Sequence, residues 1–518
     1  MRPGRARRVV TAGLMLAMTV IALEVTVVTT ALPTIVGEFG RLDLYPWIFS
    51  AYLLTSTVTV PLYGKLADLF GRRWVFLFGM ALFLLGSVLC GLARGMGELV
   101  AYRAIQGLGA GAIMPTIFTA IADIYRLQER ARIQGLFSAL WGGASLIGPA
   151  LGAWLTLSWS WRGVFFVGVP FGLAAAVLIW SRFEERVERR PVALDLAGSA
   201  FLTGGLTALL LALPRGEAGD VWSAESLGLL LLGVALLIAF VLAERRAEDP
   251  VLPLSLFKSR IIAVSSIGNF LSGAVLFGIT SYVPLYVQGV RGEDAAGAGA
   301  VLTPMLLAWA SSSVFGPRLL LRFGFRVTAI GASALVALGA SALAFLGPDS
   351  PKLLLFFGVV LMGLGFGPTI AAFVMAVQEA VPWNVRGVAT SSTQLFRSLG
   401  GTIGVALLGA VLQVGLQARL TATVAEGVPT SAVLDPAVGA SLPPEVLPTL
   451  RLALGDALSP VFALTMALAV ATLLVVVAFA RDEAGILRRR EASEPHRPPQ
   501  PPSLKGRESN RAQVPPSL

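Results

Sequence analysis

The sequence predicts an all-α integral membrane protein with many spanning helices. Of its 518 residues, 55% are hydrophobic and only 14% are charged. A soluble protein of this length is far less apolar. Long apolar segments separated by short loops that carry Lys and Arg are typical of spanning helices, and they differ from the short alternating strands of an outer-membrane barrel.

Fourteen apolar segments are long enough to cross a bilayer as helices. The first follows the basic leader MRPGRARR, but its length and the absence of a small-residue cleavage site predict a retained helix rather than a signal peptide. An even number of spans places both termini on one side of the membrane. In chain order the segments are 9–33, 47–66, 74–93, 98–121, 133–157, 163–181, 195–213, 226–243, 260–288, 297–320, 327–346, 351–377, 387–419 and 456–480.

The distribution of basic residues predicts the orientation of these segments. With the N-terminus inside, the cytoplasmic loops and the tail hold thirty of the 40 Lys and Arg residues, and the external loops hold eight. This asymmetry predicts cytoplasmic termini, and we expect a multi-pass protein of the bacterial inner (cytoplasmic) membrane. Because the net charge of +10 is spread over loops and tail, it indicates topology and contact with membrane lipid rather than nucleic-acid binding.

The loops and charges divide the chain into five parts. A six-plus-six arrangement of helices around an inserted pair is the layout expected of two transporter halves. An external stretch at 420–456, rich in Pro, Ala and Val, forms either a small ordered cap or a linker. The predicted parts are a basic cytoplasmic N-terminus at 1–8, an N-terminal six-helix half at 9–185, two inserted helices with linkers at 186–250, a C-terminal six-helix half at 251–481 and a disordered cytoplasmic tail at 482–518.

The scarcity of Cys and His limits the chemistry of the chain. The chain has one cysteine, Cys90, and one histidine, His496. Disulfides, Cys/His metal sites and His-based catalysis are therefore almost excluded. The chain also lacks HExxH, nucleophile-elbow and P-loop motifs. We therefore expect no catalytic residues, no metal and no cofactor, and protons as the coupling ion.

Glu24 is the only acidic side chain deep within an apolar segment. A charged carboxylate at mid-bilayer costs at least about 2.5 kcal/mol, so it lines a wet cavity, pairs with a cation or stays protonated. A group poised between those states can carry protons, although a purely structural Glu is the alternative. Arg103 on the fourth segment is a candidate partner, because both residues are expected to face the centre; it could instead bond carbonyls of the first helix.

The loop after the second segment reads GKLADLFGRRWVF, from Gly64 to Phe76. Gly64 and Gly71 permit tight turns and close helix approach, and Asp68 can accept hydrogen bonds from a helix N-terminus or an Arg. With Arg72 and Arg73 these residues form a predicted conformational latch. A weaker copy, GPRLLLRFGFR at 316–326, has Leu in place of the Asp, so we expect the latch in the N-terminal half only.

Two helical motifs accompany this loop. The fourth segment carries RAIQGLGAG at 103–111, and the fifth carries ALWGGASLIGPALGAW at 139–154. Gly148, Pro149 and Gly152 in the latter give a flat, kinked face for close packing of another helix. That face either supports antiport by blocking leak or is plain small-residue packing, and both interpretations require the same contact.

These motifs resemble those of the major facilitator superfamily. Together with segments 23–33, 159–172 and 386–406, they are similar to the 14-helix drug:proton antiporter branch typified by EmrB and QacA, over residues 9–480. The resemblance implies a major facilitator fold of two six-helix halves plus two inserted helices, and proton-coupled multidrug efflux. Two departures stand out: Glu24 replaces the usual Asp, and Gly168 stands where Asn is usual.

The expected cargo follows from the number of buried carboxylates. The resemblance implies that some relatives that export divalent cations carry a further acid in helix 10, and segment 297–320 has none. We therefore expect export of small molecules that are lipophilic monovalent cations or neutral amphiphiles. We also expect a monomer. Tyr282, Tyr286 and Gln288 are interpreted as an interfacial belt. The candidate cavity residues, each of which could instead bond or pack between helices, are Gln106, Thr116, Trp141, Asn269, Gln394 and Arg397.

Other functions are compatible with parts of the pattern. A lipid or glycolipid exporter could use the same scaffold, with 420–456 as an external guide. A proton-coupled uptake symporter is disfavoured by the fifth-segment motif, and a membrane-embedded enzyme by the missing catalytic motifs. A sensor that does not transport is disfavoured by the presence of both Glu24 and the Gly64–Phe76 loop.

Overall fold

The computed structural model describes residues 3–125, 127–183, 195–212, 223–247, 250, 252, 254–347, 350–381, 386–423, 434 and 446–480. These ranges are helical apart from short turns and loops, and they contain no strand. Within them, eleven helices are long and apolar enough to cross a membrane. The count of fourteen spans therefore stays a prediction. Within the helices, the structure does not describe some side chains, among them Asp68 and Trp141.

The α-helices are numbered in chain order. Helices α6 and α7 follow one another and together give one candidate span, whereas α11 contains two. The helices are α1 Pro3–Phe39, α2 Tyr45–Phe70, α3 Arg72–Gly91, α4 Met96–Ile124, α5 Leu127–Ser158, α6 Gly163–Phe166, α7 Gly168–Arg182, α8 Leu196–Leu211, α9 Ala224–Glu244, α10 Arg260–Leu285, α11 Ala295–Ala344, α12 Lys352–Ala380, α13 Arg386–Thr423 and α14 Val446–Ala480.

Several helices extend beyond their apolar segments. Helix α1 begins at Pro3, within the predicted N-terminal leader, and α14 begins at Val446, before the predicted start at 456. Helix hydrogen bonds form between neighbouring turns and do not require an apolar sequence, so a helix can continue past the apolar part. Part of the predicted 420–456 stretch is therefore helical; its residues 424–433 and 435–445, and the tail at 482–518, lie outside the described residues.

Two glycines with positive φ break the chain at corresponding places. Gly71 separates α2 from α3 with φ 91° and ψ 146°, and Gly324 interrupts α11 with φ 79° and ψ 166°. Only glycine adopts such a conformation without steric cost. The loop motif and its weaker copy thus make the same turn, although the copy lacks the Asp.

The helices form two groups that contact each other. In the first group α1 packs on α5 and α7, and α4 packs on α2 and α3; in the second α10 packs on α13 and α14, and α11 packs on α12 and α14. The main contacts between the groups join α1 to α10 and α11, α2 to α13, and α5 to α11. Any cavity between the groups must lie among these helices.

Contacts between the groups concentrate where α1 ends, which we call the Phe39 end; the opposite end is the Pro3 end. A hydrophobic cluster there joins both groups, with Ile35 and Ile48 from the first and Ile279 and Leu302 from the second. The Tyr45 hydroxyl donates to the Ser281 carbonyl across the seam. The molecule is therefore closed at the Phe39 end.

Helices α8 and α9 lie beside the bundle. The stripe Leu202, Leu206 and Leu210 of α8 belongs to a cluster with Leu54 of α2 and Ala406 of α13, so α8 covers the seam between the two groups. Helix α9 packs on α8 and presents Leu and Val side chains outward. An outward apolar face of this kind suits contact with lipid.

Candidate functional site

The first element of the candidate site is an ion pair between α1 and α4. Arg103 Nη1 lies 2.6 Å from Glu24 Oε1. Both side chains are almost fully enclosed, with 1% of the Arg103 side chain and 4% of the Glu24 side chain exposed. The two residues that the sequence proposed as partners are thus in contact, and their role in proton coupling stays a proposal.

Arg103 has three further contacts that hold its guanidinium in place. Its Nε donates to the Ile48 carbonyl of α2 over 3.2 Å, and Nη1 also donates to Gln106 Oε1 over 2.6 Å. The guanidinium carbon lies 4.3 Å from the centre of the Tyr52 ring. These contacts come from α2 and α4 as well as α1, so the position of Arg103 depends on how three helices pack.

A buried polar chain continues from Gln106 towards α6. Gln106 Nε2 donates to Ser87 Oγ of α3 over 3.1 Å, and Ser87 Oγ donates to the Phe165 carbonyl over 2.8 Å. Ser87 has 1% of its surface exposed and Gln106 none. The sequence interpretation missed Ser87, although a polar residue inside the apolar segment 74–93 was a usable signal.

The electrostatics of this site follow from burial. An isolated charge in a low-dielectric interior is very costly, whereas a close pair with added hydrogen bonds recovers much of that cost. Glu24 is therefore bound to Arg103 rather than free to neutralise a cation. Protonation of Glu24 would remove its charge and leave Arg103 held by Ile48 and Gln106.

The α5 motif packs on α1 just beyond Glu24. Side-chain atoms at Gly148 and Gly152 would overlap Thr26 and Thr30 of α1, so only glycine fits at either position. The other side of the motif meets α11: a Cβ at Gly299 would lie 3.0 Å from the Pro149 carbonyl oxygen. Helix α5 is thus packed closely between α1 and α11, as a flat small-residue face permits.

The structure describes part of the Gly64–Phe76 loop, which the sequence predicted to be a conformational latch. Gly71 forms the tight turn, and Arg73 Nη2 donates to the Trp180 carbonyl of α7 over 2.7 Å while its guanidinium lies 5.3 Å from the Trp180 ring. Arg72 begins α3. A Cβ at Gly64 would meet no atom within 4 Å, so no close approach occurs there in this conformation. The Asp68 side chain lies outside the described residues.

The predicted cavity residues fall into two environments. Gln106, Thr116 and Asn269 are enclosed, with at most 1% exposure, and the last two bond carbonyls of their own helices, Ala112 and Ser265. On α13, Gln394 is exposed and Arg397 is half-buried. The Trp141 side chain lies outside the description. In this conformation the residues that solvent reaches are therefore those of α13.

The interfacial-belt interpretation of Tyr282, Tyr286 and Gln288 is wrong. All three are buried in the protein, and the two tyrosine hydroxyls donate to the carbonyls of Val405 and Gly347. Gln288 Oε1 accepts from Thr34 Oγ1 over 3.1 Å, and Nε2 donates to the Thr30 carbonyl over 3.0 Å. These residues face other helices because α10 is surrounded by protein at the Phe39 end.

Comparison with known proteins identifies the class of this chain. The profile of the Major Facilitator Superfamily matches residues 14–405, and the chain belongs to that family. It is a multi-pass membrane transporter and not an enzyme.

Two curated relatives and one solved structure illustrate the similarity. The chain is 38% identical over 407 residues to the multidrug transporter protein MdtP of Bacillus subtilis (strain 168), covering 78% of this chain and 75% of the relative. It is 34% identical over 400 residues to multidrug resistance protein 3 of the same strain, covering 77% and 78%. A bacterial homologue of the human lysosomal transporter Spinster, solved inward-facing and unoccupied, aligns with TM-score 0.68 and 19% identity over 93% of this chain and 98% of that one. The last similarity concerns the fold alone.

Proposed function

We propose that this protein is a proton-coupled multidrug efflux antiporter of the 14-helix branch, with both termini in the cytoplasm of a bacterial cell. The buried Glu24–Arg103 pair, 2.6 Å apart, is the observation that carries the proposal. The names of the two Bacillus relatives support multidrug transport. The thirty Lys and Arg residues on the predicted cytoplasmic side, against eight outside, support the orientation.

In this orientation the Phe39 end faces outward, and the closed seam there corresponds to an inward-facing state. The two helix groups rock about a site near the middle of the membrane. The α5 face limits leak by remaining packed between α1 and α11, and the Gly64–Phe76 loop latches one of the two states.

Protonation controls the cycle through the ion pair. From the outside, a proton reaches Glu24 through the polar surroundings of Arg103 and replaces the ionic contact with a neutral carboxyl group. Substrate arriving from the inside competes for the same region and displaces the proton. A neutral Glu24 is cheaper to enclose than a charged one, so an empty protonated site can close and return.

The cargo proposed is amphiphilic, either neutral or monocationic. A monocation has to compete with Arg103 for Glu24, because the carboxylate already has a cationic partner. Neutral amphiphiles need only apolar surface and hydrogen-bonding groups. Dications are disfavoured, since segment 297–320 offers no second acid.

The test is proton release from purified protein on addition of the lipophilic cation tetraphenylphosphonium. Native protein is expected to release protons, and Glu24→Gln to release none, because an amide has no proton to exchange. Glu24→Asp, the residue usual in the branch, is the matched control and should release protons. Equal release from native protein and Glu24→Gln would refute the role of Glu24. Binding without release from native protein would refute proton exchange with this cation and favour neutral or lipid cargo.

A further inference from the structure

Arg397 is a second charged residue within the bundle, and the proposed mechanism does not use it. It lies on α13 at a position where its backbone carbonyl packs against Gly273 of α10. The side chain is half-buried. The residues of α13 that pack towards α8 are Leu395, Phe396 and Leu399. Arg397 lies on a different face of the helix, beside α10, so its side chain lines the space between the helices rather than the surface covered by α8.

The guanidinium of Arg397 has no hydrogen-bond or ion-pair partner within the described part of the chain. Its nitrogens are not among the fully enclosed unpartnered atoms, so they keep some accessible surface. Arg103, by contrast, has Glu24, Gln106 and the Ile48 carbonyl as partners. An Arg has five N–H donors in a planar fork that matches carboxylate or phosphate oxygens.

Along the bundle axis, Arg397 lies on the Pro3-end side of a contact between the two helix groups. Ser50 of α2 donates to the Thr402 carbonyl of α13 over 3.4 Å, and this contact lies just over one helical turn from Arg397 towards the Phe39 end. Gln394 is exposed on the same helix, one turn further towards the Pro3 end. Gln394 and Arg397 therefore both lie on the Pro3-end side of the Ser50–Thr402 contact.

We propose that Arg397, supported by Gln394, is a subsite that binds the oxyanion of an acidic amphiphile, a carboxylate or a phosphate monoester. Among the described residues, Glu24 and Arg103 neutralise each other, and Arg397 adds a positive charge that has no acidic partner. A low dielectric strengthens the attraction between such a charge and an anion. The proposal extends the cargo from neutral and cationic amphiphiles to acidic ones, and it rests on the proposed export function.

The test compares binding of dansyl-undecanoic acid and its methyl ester to the purified full chain in detergent, followed by dansyl fluorescence. The two probes share the apolar chain and the fluorophore and differ in the charged group. Native protein is expected to bind the acid at least tenfold more tightly than the ester. Arg397→Gln is expected to lose that preference, and Arg397→Lys to keep part of it, because Lys retains the charge but not the fork.

Arg419→Gln is the matched control, since it removes the same charge from α13 at the Phe39 end, where Arg419 pairs with Asp456 at 3.7 Å. It should leave the preference unchanged. Unchanged ester binding by Arg397→Gln shows that the variant is folded. Equal affinity of native protein for acid and ester would overturn the proposal whether or not any variant folds, and so would a preference that survives Arg397→Gln.

The measurement is made without a proton gradient, so it separates the subsite from proton coupling. Glu24→Gln should keep the preference for the acid even though it releases no protons. If native protein prefers the acid but never releases protons, the subsite is supported and proton-coupled antiport is refuted. If native protein releases protons but shows no preference for the acid, antiport is supported and the subsite is refuted.

Discussion

At the residue scale, the two intramembrane arginines differ in what surrounds them. Arg103 is enclosed, with four contacts from Glu24, Gln106, Ile48 and Tyr52. Arg397 is half-buried and has no partner among the described residues. A fully satisfied charge stabilises one arrangement of helices, whereas an unsatisfied one is available to a ligand. The sequence alone gives both residues the same appearance, that of an Arg within an apolar run.

The ion pair should show strong non-additivity in stability. Arg103→Met leaves the Glu24 carboxylate buried without a cation, so we expect a loss of about 3–5 kcal/mol in the free energy of unfolding. The double variant Glu24→Leu with Arg103→Met removes both charges and should recover most of that loss. Chemical denaturation in detergent, followed by intrinsic fluorescence, measures the free energy of unfolding of four proteins: native, Glu24→Leu, Arg103→Met and the double variant.

The control for this cycle is an exposed pair. Arg41 lies 2.8 Å from Asp43 with 63% of its side chain exposed, and Arg41→Met should cost no more than about 1 kcal/mol. A double variant as unstable as Arg103→Met alone would contradict the interpretation, because it would show that packing around Arg103 outweighs the charge.

At the scale of elements, polar contacts at the closed seam join α1 and α2 to the second helix group, beside the hydrophobic cluster there. Gln288 lies in a short π-helical turn, Tyr286–Val290, that follows α10. Its amide bonds both Thr34 and the Thr30 carbonyl of α1. Such a turn changes the direction of side chains at a helix end and is frequent at functional sites. We therefore expect Gln288 to hold the Phe39 end closed.

Gln288→Leu should open the Phe39 end more often. The change removes both hydrogen bonds to α1 while keeping a side chain of similar size, so the inward-facing state loses stability relative to the outward-facing one. In a Cys90→Ser, Ile35→Cys background, which leaves Thr30 and Thr34 unchanged, the cysteine at the buried seam position 35 should react with a membrane-impermeant maleimide several-fold faster than without the Gln288 change.

Tyr286→Phe is the control, because it removes a hydrogen bond to the Gly347 carbonyl, which belongs to the same helix group. It should leave the labelling rate unchanged. If Gln288→Leu labels at the rate of the parent protein, the amide does not control closure of this end.

The α5 motif makes a prediction about helix packing. Gly152→Ala introduces a Cβ that overlaps Thr30 and the Val27 carbonyl, and separating α5 from α1 should lower the unfolding free energy by roughly 1–3 kcal/mol. Gly143→Ala, on the same helix where no atom lies within 4 Å, should be neutral or stabilising by up to about 1 kcal/mol. Thermal unfolding in detergent compares the two, and equal effects would refute the packing argument.

At the scale of the whole molecule, the orientation and the number of spans are still predictions. Reporter fusions after residues 40, 162, 215 and 292 should report the outside of the cell, and fusions after residues 72, 190, 250 and 482 the cytoplasm. The reason is the concentration of Lys and Arg on one side of the predicted spans. An external signal after residue 250 would show that α8 and α9 do not form a pair of spans.

The sequence predicted most of the architecture because hydrophobic length and local motifs are properties of single segments. The apolar segments locate the helices, and Gly71 locates the break between α2 and α3. The ends of α1, α13 and α14 were misplaced, since hydropathy follows the bilayer core whereas a helix continues for as long as its backbone bonds are satisfied. Contact between Glu24 and Arg103 was foreseen from the cost of leaving either charge alone.

What the sequence could not determine was which polar side chains face one another and which face open space. Gln106, Asn269 and Arg397 all look like cavity residues along the chain, yet the first two are enclosed and only the third is reached by solvent. Likewise, Tyr282 and Gln288 look interfacial but lie between helices. The sequence by itself determined the membrane class, the helical segments and the cost of each buried charge. The packing of the helices against one another decided whether each charge has a partner, because Glu24 and Arg103 lie far apart in the chain and meet only when α1 packs beside α4.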